Sequence, residues 1–183
     1  MKNLKIIFIH GNDAMRWSYS WTPWLKKELE KLNLNVIFET FPDSIEAREK
    51  YWIPFLEQNL KADENTLIIG HSTGAIAAMR YAQKNTIFGS ILISPYHTHL
   101  GIEDEKASGW FDKEWRWDNI KNNQKQIGIF YSKDDNAIPL KEFLHVKEKL
   151  NPNYIYEFED KGHFIKQNTF PEVLECVKKM IEK

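Results

Sequence analysis

Leu67-Ile68-Ile69-Gly70-His71-Ser72-Thr73-Gly74-Ala75 is the stretch whose reading decides the fold. An apolar run ends in Gly-x-Ser-x-Gly, and a small-residue helical pattern follows at once. Strand, sharp turn and helix in that order make a nucleophile elbow, which lifts one serine hydroxyl above the edge of a sheet. The turn crowds the backbone, so Gly70 and Gly74 fall where a side chain would clash. Ser72 is expected in a strained conformation at a helix N-terminus, whose amides favour developing negative charge. The plainer reading is an ordinary turn in which Ser72 caps the helix. The flanking strand and helix favour the elbow.

A serine hydroxyl is a poor nucleophile at neutral pH and needs a base, and the base needs an orienting acid. In this architecture they follow in chain order Ser, Asp or Glu, His. Downstream, the apolar run Ile127-Gly128-Ile129-Phe130-Tyr131 leads into Asp134-Asp135, and the alternating run Tyr154-Ile155-Tyr156-Glu157-Phe158 leads into Gly162-His163-Phe164. Three predicted strand ends thus supply Ser72, an aspartate and His163 in the expected order. Asp135 is preferred as the acid because it lies deeper in its loop, four residues before Pro139. Asp134 reads as a turn cap or a solvated side chain. The oxyanion hole requires two backbone N–H groups. One is assigned to Thr73, directly after the nucleophile. The other is assigned to Asn12, in the His10-Gly11-Asn12-Asp13 loop after the first strand. His10 reads as packing beneath that loop rather than as a second base.

The chain has 183 residues, enough for one domain with a sizeable core. With 25 Lys and Arg against 26 Asp and Glu, the net charge is −1 and no basic stripe stands out, so nucleic acid is not implied. Cys176 is the single cysteine, which excludes an intrachain disulfide and makes a reducing compartment the default. It reads as a buried helix residue. The apolar run Ile6–Ile9 is too short for a signal-peptide core, and no stretch approaches transmembrane length. A cytoplasmic protein without membrane association is expected.

Strands and helices alternate along the chain, which predicts an α/β three-layer sandwich: a parallel sheet of about six strands with helices on both faces. Strands are expected near 4–9, 35–40, 65–69, 88–93, 126–131 and 154–159. Helices are expected near 21–32, 45–60, 73–83, 140–150 and 170–181, the second kinked at Pro54. In a doubly wound sheet, the elbow and the oxyanion loop flank a switch point at the carboxyl edge, where ligands bind.

The segment 94–124 breaks this rhythm. It holds Pro95-Tyr96-His97-Thr98-His99, an acidic patch, and Gly109-Trp110-Phe111-Asp112-Lys113-Glu114-Trp115-Arg116-Trp117. A long irregular stretch in a compact domain is usually functional. Leaving the carboxyl edge of the fourth strand, it can cover the active site, and His97, Trp110, Trp115 and Trp117 are assigned to the substrate pocket. The competing reading is that the aromatics only pack the segment onto the sheet. His97 and His99 with Glu103 and Asp104 also invite a metal reading. No third convincing ligand group appears and the triad explains more, so neither metal nor cofactor is expected.

The chain resembles the small serine hydrolases of the retinoblastoma-binding protein 9 family nearly end to end. The resemblance rests on Trp24-Leu25-Lys26-Lys27-Glu28-Leu29, Trp52-Ile53-Pro54-Phe55, Gly70 through Ala82, Ala107-Ser108-Gly109, Asp134-Asp135 and Gly162-His163-Phe164. It implies a trimmed α/β hydrolase fold without two leading antiparallel strands, and Ser72, Asp135 and His163 as nucleophile, acid and base. One departure matters. The family's Leu-x-Cys-x-Glu retinoblastoma-protein motif falls on Leu60-Lys61-Ala62-Asp63-Glu64, which lacks the cysteine, so that partner is not implied. Leu174-Glu175-Cys176-Val177-Lys178 ends in lysine. The function expected is hydrolysis of a small ester or amide through an acyl-enzyme. The alternative is an interaction module on a hydrolase fold. A nucleotide-binding reading is disfavoured, because Gly-x-Gly-x-x-Gly is missing after the first strand.

Overall fold

Apolar residues on both faces of consecutive strands require helices on both sides of the sheet, and the computed structural model, which describes residues 4–182, has that arrangement. The elements run β1 (Lys5–Ile9), α1 (Thr22–Glu30), β2 (Asn35–Phe38), α2 (Glu49–Pro54), β3 (Thr66–His71), α3 (Thr73–Ala82), β4 (Ile87–Ile93), α4 (Glu103–Ala107), α5 (Trp117–Asn122), β5 (Gln124–Ser132), α6 (Leu140–Leu150), β6 (Tyr154–Phe158) and α7 (Pro171–Ile181). All six strands are parallel, in the order β2-β1-β3-β4-β5-β6.

Alternation along the strands sorts the core into two halves. Ile7, Ile9 and Ile68 face Trp52 of α2, Ala75 and Ile76 of α3, Ile120 of α5 and Phe143 and Val146 of α6. Ile6, Phe8, Leu67 and Ile69 face Leu25 and Leu29 of α1 and Val173, Cys176 and Val177 of α7. Gly128 lets α7 close onto β5: a Cβ there would stand 3.0 Å from Cys176 Sγ. Burial pushes the Cys176 thiol up to about 12, which keeps it protonated and unreactive at neutral pH.

The predicted elements recur with shifted ends. The helix expected over 45–60 starts only at Glu49 and changes after Pro54 into a π-helical turn, Phe55–Asn59. Proline has no N–H to give the preceding turn and its ring crowds the carbonyl four residues back, so the helix widens there rather than continuing regularly. The segment 94–124 is more ordered than expected, since it contains α4 and α5.

Chain reversal creates the site. From β1 the chain moves to one side to form β2, then returns past β1 to form β3 and the remaining strands. The carboxyl ends of β1 and β3 flank this switch point, with Ile9 paired to Gly70, and β4 ends beside them with Ile93 paired to His71. Loops leaving these strands are forced together.

Candidate active site

The elbow's geometry follows from two close approaches. A Cβ on Gly70 would lie 2.3 Å from Gly74 O, and one on Gly74 would lie 2.2 Å from Ile9 O, so neither position accepts a side chain. Between them Ser72 sits at φ 56°, ψ −121°, a conformation that costs a non-glycine residue about 1–3 kcal/mol. Its N–H donates to Ile93 O at 2.9 Å, which ties the turn to β4. Thr73 opens α3, so its N–H has no intrahelical acceptor.

The loop after β1 is pressed against this turn. A Cβ on Gly11 would stand 3.3 Å from Ser72 Cβ. His10 is fully buried; its Nε2 accepts the Phe41 N–H at 2.8 Å and its Nδ1 lies 2.6 Å from Gly11 O. With Nε2 accepting, the proton sits on Nδ1, and burial holds the ring neutral. His10 therefore supports the loop from below, and its lone pair is already occupied.

On the other side, Asp135 Oδ2 lies 2.8 Å from His163 Nδ1 and accepts from Ser94 Oγ at 2.9 Å, while Oδ1 accepts the N–H groups of Ala137 and Ile138 at 2.9 and 3.0 Å. Burial would raise this carboxyl. The His163 bond and the two amides outweigh it and leave Asp135 below the ordinary aspartate value. Asp134 has different work: its Oδ1 accepts from Ser132 Oγ at 2.6 Å and Gly162 N–H at 2.8 Å, stitching the two loops together.

His71, inside the elbow motif, donates from Nε2 to His163 O at 2.9 Å, and its ring centroid lies 4.9 Å from that of His163. Burial, then the neighbouring His163, push it down to about 3, so it is neutral and serves to anchor the histidine loop. The motif by itself gives His71 no role, although its place next to Ser72 is a usable signal.

A cavity of about 580 Å³ opens on Ser72 and His163. Asn12, Met15, Tyr19, Leu100 and Ile138 form part of its wall, and the half-exposed Ile102 and Ile165 flank it. A neighbouring groove of about 420 Å³ shares His163, Asn136 and Ile165 and is lined by Asp134, Lys161, Lys166 and Gln167.

The four residues assigned from sequence to the pocket wall do not line this cavity, and that expectation is corrected. Trp110 is fully buried, donates from Nε1 to Ala47 O at 2.6 Å and packs edge-on to Trp52. Trp115 donates to His97 O at 2.8 Å, and stacks on Trp117 with ring centroids 5.3 Å apart. Arg80 of α3 organises this cluster: it donates to the carbonyls of Trp110, Lys113 and Glu114 at 2.7–3.0 Å and lies 3.5 Å above the Trp115 ring. A buried guanidinium with that many carbonyl partners holds the segment onto α3, away from Ser72. His97 stacks on His145 at 3.9 Å, and His99 Nδ1 accepts the Gly101 N–H, so the two imidazoles take separate partners. Among the described residues, no group of three or more His, Cys, Asp or Glu could hold a metal ion. Trp110→Ala is expected to lower stability by about 3–5 kcal/mol while the ranking of acyl chain lengths stays put. A melting curve beside an ester series checks this, and an altered ranking would return Trp110 to the pocket.

Glu142 fastens the start of the same segment. Its Oε2 accepts the N–H groups of His97 and Thr98 at 3.0 and 3.2 Å, and its Oε1 accepts from Thr98 Oγ1 at 2.9 Å. Burial acts to raise this carboxyl, but the His97 imidazole, whose Nδ1 lies 2.6 Å from Oε2, and then the His97 amide and the Thr98 side chain prevail and bring it down to about 2 from 4.5. A depressed folded value means that the stabilisation is present above the ordinary glutamate range and disappears as pH falls toward 2. It amounts to about 3 kcal/mol at neutral pH. Melting temperatures should therefore fall more steeply on acidification in the wild type than in Glu142→Gln; parallel curves would contradict this.

A parallel sheet with a strained serine between β3 and α3, and an Asp–His pair on the loops after β5 and β6, defines an α/β hydrolase. The serine hydrolase family model matches residues 6–181, and the chain belongs to that family. It is 45% identical over 180 residues to serine hydrolase RBBP9 of Rattus norvegicus, covering 97% of this chain and 95% of that protein. The ydeN gene product of B. subtilis superposes with a TM-score of 0.87 at 22% identity, covering 98% of this chain and all of that one. Est1E from Butyrivibrio proteoclasticus shares the fold at a TM-score of 0.76 and 13% identity, covering 99% and 89%. A hydrolase function follows from the family. No helix among the described residues is long and apolar enough to cross a membrane.

Proposed function

We propose that the protein hydrolyses a small carboxylic ester or amide through an acyl-enzyme, with Ser72 as nucleophile, His163 as general base and acid, and Asp135 as the orienting carboxylate. The observation that carries this reading is the Asp135–His163 contact at 2.8 Å, next to a cavity that both His163 and Ser72 line.

Asp135 keeps the proton on His163 Nδ1, which leaves Nε2 free to take the Ser72 proton as Oγ attacks the carbonyl carbon. The tetrahedral oxyanion is held by the backbone N–H groups of Asn12 and Thr73. Collapse breaks the bond to the leaving alcohol or amine, which takes the proton from His163. Water, deprotonated by His163 in turn, attacks the acyl-enzyme; collapse breaks the bond to Ser72 Oγ, which takes the proton back from His163, and releases the acid. Met15, Leu100 and Ile138 suit an apolar acyl group, and the polar groove beyond His163 suits the leaving group.

The test pairs a fluorophosphonate probe with p-nitrophenyl esters of increasing acyl length and matched anilides. Stoichiometric labelling of Ser72, with turnover depending on acyl length, is expected. A protein that is folded, unlabelled and inactive on the whole series would favour the interaction-module reading instead.

A further inference from the structure

Asn12 and Thr73 come from segments far apart in the chain, and an oxyanion hole needs their two amides at a fixed separation. One carboxylate joins the two segments. Glu105, on α4, accepts from Asn12 Nδ2 on Oε1 at 2.9 Å and from Tyr96 OH on Oε2 at 3.0 Å. The Tyr96 oxygen lies 3.1 Å from Thr73 Oγ1. With the Tyr96 proton committed to Glu105, the Thr73 hydroxyl is the donor to Tyr96. The result is a directed chain: Thr73 to Tyr96, Tyr96 to Glu105, and Asn12 to Glu105 from the other side. Glu105, Tyr96 and Thr73 are all buried, at 7%, 1% and 1% exposure.

We propose that Glu105 is a positioning residue for the hydrolytic reaction, holding the loop after β1 and the start of α3 in the register that aims both amides at the oxyanion. This rests on the assignment of those amides as the oxyanion donors. Each bond runs to a side chain whose own backbone N–H is one of the two donors, or to the tyrosine that links to it. Buried hydrogen bonds to a carboxyl group are directional and costly to lose, because the groups left behind have no water to turn to. The bare ends of the chain explain why a carboxylate is used: it accepts on both oxygens, whereas an amide accepts on only one. This role gives α4 and Tyr96, within the irregular segment, a task at the site that its tryptophans do not perform.

Glu105 also borders the cavity, so the experiment must separate positioning from direct substrate contact. Steady-state kinetics on a short-chain p-nitrophenyl ester are measured beside inhibition by a trifluoromethyl ketone, which Ser72 converts to a tetrahedral oxyanion adduct. Removing one oxyanion donor outright costs about 10²–10³ in kcat; displacing rather than deleting it should cost about tenfold or somewhat more. Glu105→Ala is expected to lower kcat by that factor with KM within about twofold, and to weaken the ketone in parallel with kcat/KM. Glu105→Gln should retain part of the loss, and Tyr96→Phe should lower kcat in the same manner. The Glu105→Ala, Tyr96→Phe double variant should lose less than the product of the single losses, because both cut one network. A raised KM with kcat and ketone affinity relative to KM unchanged would make Glu105 a substrate contact and overturn the proposal. A lowered melting temperature with wild-type kcat would make it structural and also overturn it. Should Glu105→Ala not fold, Glu105→Gln, Tyr96→Phe and Asn12→Ala carry the same comparison. An active Ser72→Ala variant would sink the site assignment itself; a dead Ser72→Ala with unaffected Glu105 variants would sink only the positioning role.

Discussion

Replacing Ser72 with alanine is expected to lower kcat by about six orders of magnitude, the loss measured when the nucleophile of another serine triad is removed. In the proposed mechanism this hydroxyl forms the acyl bond. The strained backbone around it is imposed by the close approaches at Gly70 and Gly74 and by the Ser72 N–H bond to Ile93, none of which involves Oγ. The fold should therefore survive the substitution, with a melting temperature close to wild type. Fluorophosphonate labelling should vanish, and peptide mapping of the labelled wild type should find the adduct on Ser72. Full-stoichiometry labelling of the variant on a different residue would overturn the assignment.

Asp135→Asn is expected to reduce kcat by about 10⁴, as an equivalent change does in another triad. The loop dictates how the new amide must sit. Ala137 and Ile138 N–H groups both point at Oδ1, so the amide oxygen is held there and its NH₂ is turned toward His163 Nδ1. Two donors then face each other unless His163 moves its proton to Nε2, and in that tautomer it cannot accept a proton from Ser72. Asp134→Asn should do far less, because asparagine still offers an oxygen to Ser132 Oγ and Gly162 N–H. Comparing kcat for the two variants under identical conditions checks the choice between neighbouring aspartates, and a larger effect at Asp134 would reverse it.

Where sequence and structure agree, the constraint is local. Gly-His-Ser-Thr-Gly marks its own turn: the Gly70 backbone passes within contact distance of Gly74 inside the motif, and the Gly74 backbone leaves room for Ile9 of β1. The doubly apolar strands call for helices on both faces, and the strand-end loops at Asp134-Asp135 and Gly162-His163 are brought to one edge by parallel pairing of β5 with β6. The α/β hydrolase architecture was legible for those reasons. The irregular segment 94–124 was not, because no periodicity says what an aromatic in a loop packs against. In the sequence Trp110, Trp115 and Trp117 have equal claims to pocket and scaffold; Arg80, a helix residue with nothing unusual about its sequence position, decides between them by donating to the carbonyls of Trp110, Lys113 and Glu114.

The sequence by itself determined the elbow motif, the alternation of strands and helices that calls for a parallel sheet, and the order in which serine, aspartate and histidine follow strand ends, because each is written in residues adjacent in the chain. Only the tertiary structure decided which aspartate oxygen meets His163, that His71 and His10 are neutral supports, that Trp110 is core with Trp115 and Trp117 packed against it, and that Glu105 spans from Asn12 to Tyr96. Those outcomes depend on which side chains from distant segments share one buried volume, and burial is what makes their hydrogen bonds strong and their charges costly.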